Sequence, residues 1–118
     1  MSKHNELGKK GEEFARQFLL DKGHIILEIN YRFEHKEIDV ISTIGDTIVF
    51  TEIKARSSYD YGFPEEAVSV RKQNLLKLAA EYYCFQNPQH LKIRFDVVSI
   101  LLKNGIAVET LHFEDAFY

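Results

Sequence analysis

A mixed α/β domain with elements in the order α-β-β-β-α-β-β is what the 118-residue sequence predicts. Three observations carry this. Two stretches space their apolar residues at the helical period, while the others alternate or run apolar over short lengths, as strands do. The breaks between them are short and marked by Gly, Asn, Asp and Pro. The length is that of one domain, and 45% apolar with 28% charged residues is the composition of an ordinary globular chain. No linker or internal repeat divides the sequence, so residues 1–118 read as a single domain with a central mixed sheet flanked by helices.

The first helix is expected over Asn5 to Lys22. Leu7, Gly11, Phe14, Ala15, Phe18 and Leu19 form its apolar stripe, and Gly23 stops it. At about 100° per residue, Glu12 falls at the rim of that stripe beside Leu19, whereas Glu13 points well away. Strands follow at His24 to Arg32, Glu37 to Thr43 and Thr47 to Ala55, with a turn at Gly45-Asp46; their short connections fit an antiparallel meander. Arg56 to Phe63 reads as a polar, aromatic loop. Pro64 suits a first helical position, and Glu65 and Glu66 suit the positive end of a helix dipole. That helix runs to about Gln86 with a break near Ser69, and Leu75, Leu78, Ala79, Tyr82 and Phe85 are its expected core stripe. Asn87-Pro88 ends it. Leu91 to Leu102 and Ile106 to Phe113 are the last strands, joined by a hairpin turn at Lys103-Asn104-Gly105.

Composition excludes several classes. The lone cysteine, Cys84, rules out a disulfide framework and a cysteine-based zinc site, and reads as a small core or near-core residue. His4, His24, His35, His90 and His112 show no tight metal-ligand spacing and read as surface or turn residues. The longest apolar run, near Val97 to Leu102, is far too short to span a membrane. The Met1-to-Glu6 stretch lacks an apolar targeting core, so a cytoplasmic location is the expectation. With 15 Lys+Arg against 18 Asp+Glu and a pI near 5.9, no bulk charge draws the chain to nucleic acid. A cluster of site carboxylates offset by bound metal produces the same balance.

The informative residues lie in the second and third strands. Strand side chains alternate faces, so Glu37 shares a face with Asp39, and Glu52 with Lys54. On a solvated face an acid and a lysine two apart are a simple structural ion pair. The chemical alternative brings hard oxygen ligands together: Asp39 and Glu52 as two carboxylates and the Ile53 carbonyl as a third oxygen, a set suited to Mg²⁺ with its remaining positions on water and phosphate. Lys54, one pleat beyond Glu52, then faces the scissile phosphate or the attacking water.

Asp39 followed by Glu52-Ile53-Lys54 resembles the Asp…Glu-x-Lys signature of PD-(D/E)xK nucleases. The surroundings are more specific: Leu7-Gly8-x-x-Gly11-Glu12-x-x-Ala15, Asn30-Tyr31-Arg32, Glu37-Ile38-Asp39-Val40-Ile41, Phe50-Thr51-Glu52-Ile53-Lys54-x-Arg56, Phe63-Pro64-x-Glu66-Ala67-Val68, Lys72, Arg94-Phe95-Asp96-Val97-Val98 and Asp115-Ala116-Phe117. Across nearly the whole chain these resemble the bacterial YraN-like family. That family is similar to the restriction-endonuclease-like superfamily, above all to archaeal Holliday junction resolvases.

The resemblance implies a restriction-endonuclease-like fold and a Mg²⁺- or Mn²⁺-dependent nuclease that hydrolyses DNA phosphodiester bonds, branched DNA included. Glu12, Asp39 and Glu52 take the metal positions together with the Ile53 carbonyl, Lys54 joins Glu12, Asp39 and Glu52 in the catalytic set, and Glu37 is a further ligand or a supporting acid. A homodimer is implied by the need to cut two strands symmetrically. Lys36 stands where the family usually has glycine, which bears on the turn there and not on the acids.

Other positions are weaker. Arg56, Tyr59 and Tyr61 follow the Glu-x-Lys strand and suit phosphate and base contacts as well as an ordinary surface loop. Arg71, Lys72 and Lys77 form either a basic wall or a solvated helix face. Gln73 is a weak candidate for the site, and Arg94 with Asp96 reads as a structural pair. Two rival functions stay open: a non-catalytic nucleic-acid-binding or scaffold protein that keeps the nuclease fold, and a nuclease directed to RNA.

Overall fold

Gly23 ends the first helix in a left-handed conformation, φ 96°, and the amides of Lys22, Gly23 and His24 close back onto carbonyls of the last turn. The computed structural model describes residues 3–58, 68–89 and 92–117, and its helix α1 covers Lys3–Asp21. Strands β1 (Ile25–Phe33), β2 (Lys36–Ile44) and β3 (Thr47–Arg56) follow, then helix α2 (Val70–Gln86) and strands β4 (Lys92–Lys103) and β5 (Ile106–Phe117). This is the predicted element order.

The five strands form one sheet in sequence order, with antiparallel pairs except the parallel β3–β4 pair that α2 connects. The β4–β5 hairpin turns through Asn104 and Gly105, both with positive φ (53° and 77°), the pattern expected of Asn-Gly. β5 extends past the predicted Phe113 to Phe117, with a register shift on its β4 partner between Phe95 and Val97. Among the described residues no helix is long and apolar enough to cross a membrane.

The core lies on both sides of the sheet. Ala15 and Leu19 of α1 pack with Val40, Ile53, Val98, Ile100 and Leu102. Leu76, Ala79, Ala80 and Tyr83 of α2 pack with Ile38, Ile41, Ile48, Phe50 and Phe95. Two parts of the expected stripes are corrected here. Phe14 of α1 is exposed. On α2 Ala79 is buried as expected, but the rest of the buried face, Leu76, Ala80 and Tyr83, lies one residue on, leaving Leu78, Tyr82 and Phe85 exposed, Phe85 at 83%. Both 75/78/79/82/85 and 76/79/80/83 are apolar sets at helical spacing, so period alone could not choose between them.

Ser69 caps α2, its hydroxyl accepting the Lys72 amide at 3.2 Å. The expected helix start at Pro64, with Glu65 and Glu66, lies outside the described residues, as do Tyr59 and Tyr61. Gly11 permits the close approach of α1 to β3: a Cβ there would stand 2.4 Å from the Ala55 Cβ.

The Arg94–Asp96 pair is structural, as expected, and larger than the sequence suggested. Arg94 grips the fully buried Asp96 carboxylate through two hydrogen bonds of 2.9 and 2.8 Å, and the His112 ring and the Asp115 amide complete its shell. Burial alone would raise the Asp96 carboxyl, but the hydrogen bonds from His112, Arg94 and Asp115 outweigh it and hold it below the ordinary range. The side chains of His24 and His112, expected at the surface or in turns, are instead buried beside α1, where Phe18 meets the His112 ring edge-on.

Candidate metal and phosphate site

The ladder between β2 and β3 ends at the Val40–Thr51 pair. Beyond it the next residues on each strand are Asp39 and Glu52. The Ile53 amide donates to Asp39 Oδ2 at 2.7 Å, so the carboxylate caps the fork where the strands part. The neighbouring strand is also irregular here. Asn30 lies opposite Asp39, between the Ile29–Val40 and Tyr31–Ile38 pairs, and takes a left-handed φ of 51°. Regular alternation would put Ile38 and Val40 on one side, yet Ile38 packs with the α2 cluster and Val40 with the α1 cluster. The shared face expected for Glu37 and Asp39 assumed an alternation that fails at Asp39.

Glu52 is buried, with 4% of its side chain exposed. Its Oε2 lies 2.9 Å from Lys72 Nζ and 3.7 Å from Lys54 Nζ, and its Oε1 is buried with no hydrogen-bond donor among the described residues. Asp39 is half-buried. Its desolvation and then the Glu52 charge push it up to about 8, against the Ile53 amide, which favours its carboxylate. While both groups are ionised neither can donate, and Oε1 stays unserved. A proton on Asp39 allows the two to share a hydrogen bond, which raises it further.

Glu12 is half-buried on α1, and Glu13 is exposed, as the helix phase predicted. Burial raises the Glu12 carboxyl. Arg16, with Nη1 3.9 Å away, and a hydrogen bond with Asn30 pull it down, while the Glu37 and Glu52 charges push it up. Glu12 therefore feels the other acids, but among the described residues no three His, Cys, Asp or Glu side chains come close enough together to hold a metal ion. Glu37 is exposed, with Arg32 3.9 Å away.

The nucleic-acid candidates have different addresses. Arg56 closes β3, Tyr59 lies outside the described residues, and Lys72, read as part of either a basic wall or a solvated helix face, is turned onto Glu52. Gln73 donates to the Val68 carbonyl at 3.1 Å at the start of α2. Sequence reasoning gave no role to Asn30 or to the Ser69 cap. Asn at a strand position preceding Tyr-Arg was a faint signal of left-handed backbone. Nothing in the sequence could show that the α2 crossover lands Lys72 on Glu52.

Two desolvated carboxylates, the deeper one with an unserved oxygen, are a costly arrangement for stability alone. Hard oxygens from Asp39, Glu52 and the Ile53 carbonyl fit a divalent cation that keeps several positions for water and phosphate. The two lysines beside them suit an anionic substrate.

Comparison with known proteins adds family but no chemistry. The family model described as "Uncharacterised protein family UPF0102" matches residues 11–100. A UPF0102 protein of Christiangramia forsetii is 38% identical over 118 residues, covering 100% of this chain and 98% of the relative. One from Dictyoglomus thermophilum is 42% identical over 116 residues, 97% of this chain and 98% of the relative. One from Acetivibrio thermocellus is 48% identical over 105 residues, 86% of this chain and 81% of the relative.

Proposed function

The chain belongs to the UPF0102 family, the YraN-like family of the sequence resemblance, and on that footing we propose that it is a Mg²⁺- or Mn²⁺-dependent nuclease hydrolysing phosphodiester bonds in DNA, branched DNA included. The observation that carries this reading is the desolvated Asp39–Glu52 pair with an unserved Glu52 oxygen and lysines alongside. The sequence's resemblance, through its family, to restriction-endonuclease-like proteins and to resolvases supports the substrate class.

Asp39, Glu52 and the Ile53 carbonyl would hold the cation, and Glu12, which does not close on it with them, would favour it from α1 by its charge. When bound, the ion supplies a more acidic water and positive charge for the phosphate oxygens. The Ile53 amide keeps the Asp39 carboxylate aimed across the fork. Lys54 offers its ammonium to charge developing on the phosphoryl group. Two copies acting together would cut both strands of a branched duplex symmetrically.

The rival reading, a non-catalytic nucleic-acid-binding scaffold, draws on the net charge of −3. It leaves the desolvated acid pair without a purpose, because acids facing phosphates weaken binding. The deciding experiment incubates a panel of linear, flapped and four-way DNA with and without Mn²⁺, beside an Asp39→Ala control. Metal-dependent cleavage lost in Asp39→Ala supports the nuclease. Binding without cleavage on every structure supports the scaffold. Cleavage of matched RNA alone would redirect the substrate class.

A further inference from the structure

We propose that Lys72 is a positioning residue that serves as the resident counter-cation of Glu52 and exchanges with the divalent cation for that carboxylate. This rests on the metal-site reading above.

Among the described residues, four charged groups face Glu52: Lys72 from α2, Lys54 from its own strand, Asp39 from β2 and Glu12 from α1. Of the two cations Lys72 makes the true contact, 2.9 Å to Oε2, against 3.7 Å for Lys54. Glu52 is too buried for water to compensate its charge, so in the metal-free protein the burden falls on Lys72. The placement is built. Ser69 Oγ accepts the Lys72 amide at 3.2 Å and the Ser69 carbonyl accepts the Gln73 amide at 2.9 Å, which fixes the first turn of α2.

The contact is one that a metal must disturb. A divalent ion at Glu52 brings like charge against the ammonium, and the two cations compete for one carboxylate. Lys72 keeps 30% of its side chain exposed, so it has an outward path along which its ammonium is rehydrated or meets a phosphate. Lys72 therefore holds the site folded without metal, and its release accompanies loading. This assigns the residue a duty distinct from the general phosphate contact expected of a basic helix face.

The test uses the full chain as wild type, Lys72→Met, Lys72→Arg and the double variant Lys72→Met/Glu52→Gln, with Mn²⁺ alone as the probe. Thermal melts in EDTA should show Lys72→Met less stable than wild type, Lys72→Arg close to wild type, and the double variant restored, since a neutral amide at position 52 needs no counter-cation. Calorimetric titration should show Mn²⁺ binding to Lys72→Met tighter on the order of tenfold, within the range for two ligands coupled through one site, with Lys72→Arg unchanged or weaker. If Lys72→Met folds only when Mn²⁺ is present, the exchange is supported. If wild type and Lys72→Met bind Mn²⁺ equally, the proposal fails while the metal site stands. If no variant binds Mn²⁺, the metal-site reading fails and the exchange with it.

Discussion

The Ile53 amide and the Asp39 carboxylate are joined by a 2.7 Å hydrogen bond at the point where β2 and β3 stop pairing. A backbone group is thus satisfied by a side chain that is itself desolvated and repelled by Glu52. On the proposed reading the arrangement trades stability for a site, and replacing Asp39 should reveal the trade. Asp39→Asn keeps an acceptor for the Ile53 amide and removes one charge. In EDTA above about pH 8, where Asp39 of the wild type is ionised, it should be more stable than wild type by roughly 1–3 kcal/mol, and the rise in melting temperature expected of wild type with Mn²⁺ should vanish. A loss of stability in EDTA would contradict the argument.

The same group sets a pH dependence. Its folded-state proton affinity is raised to about 8 by burial and by Glu52, so its contribution is fully present below the unfolded value, about 4, and is lost as pH rises through about 8. Denaturant unfolding of the metal-free protein across this window should show falling stability in wild type and a flatter profile in Asp39→Asn. Mn²⁺ binding near neutral pH should release protons, measurable by titration in buffers of different ionisation enthalpy.

Two glycines of α1 should respond oppositely to alanine. At Gly11 the new methyl meets the Ala55 Cβ at 2.4 Å, so the helix must move off β3, at a cost of about 1–3 kcal/mol. At Gly8 none of the described residues lies within 4 Å, and the gain in helix propensity should stabilise by about 0.5–1 kcal/mol. Urea denaturation of both variants checks the contrast.

Glu12 and Glu13 are adjacent in sequence and differ in address. Glu12→Gln should weaken Mn²⁺ binding several-fold, because the half-buried carboxylate interacts with Glu52 and Glu37. Glu13→Gln should leave it unchanged. Equal effects in calorimetry would remove Glu12 from the site.

Lys54→Met keeps the apolar stem and deletes the charge. Single-turnover cleavage of branched DNA with Mn²⁺ should slow on the order of 10²–10³-fold, while DNA affinity falls far less, since one phosphate contact of several is lost. An unchanged rate would take Lys54 out of the chemistry.

What was legible in the sequence follows from how local each feature is. Strand alternation brought Glu52 and Lys54 onto one face, and antiparallel pairing brought Asp39 toward them, because these depend on neighbours in the chain. The address of Glu12 was legible because Gly11, Ala15 and Leu19 form an unambiguous stripe. The phase of α2 was not, since Leu78, Tyr82 and Phe85 make as good a stripe as Leu76, Ala80 and Tyr83. Lys72 on Glu52 was beyond reach for a different reason: it depends on how the crossover helix lies on the sheet. The buried Asp96 network was half legible, its Arg94 partner from spacing and His112 only from the β4–β5 pairing.

The parallel pairing of Glu52 with Val97 bears on how the protein matures on the ribosome. Asp39 and Glu52 are synthesised within one meander, which can form early from local contacts. Val97 arrives only after α2 has been made, and until β4 docks, the outer edge of β3 is open to water. A solvated Asp39 titrates as an ordinary carboxylate. The nascent chain thus carries Asp39 without its raised proton affinity, which emerges only when translation has passed β4 and the domain has closed.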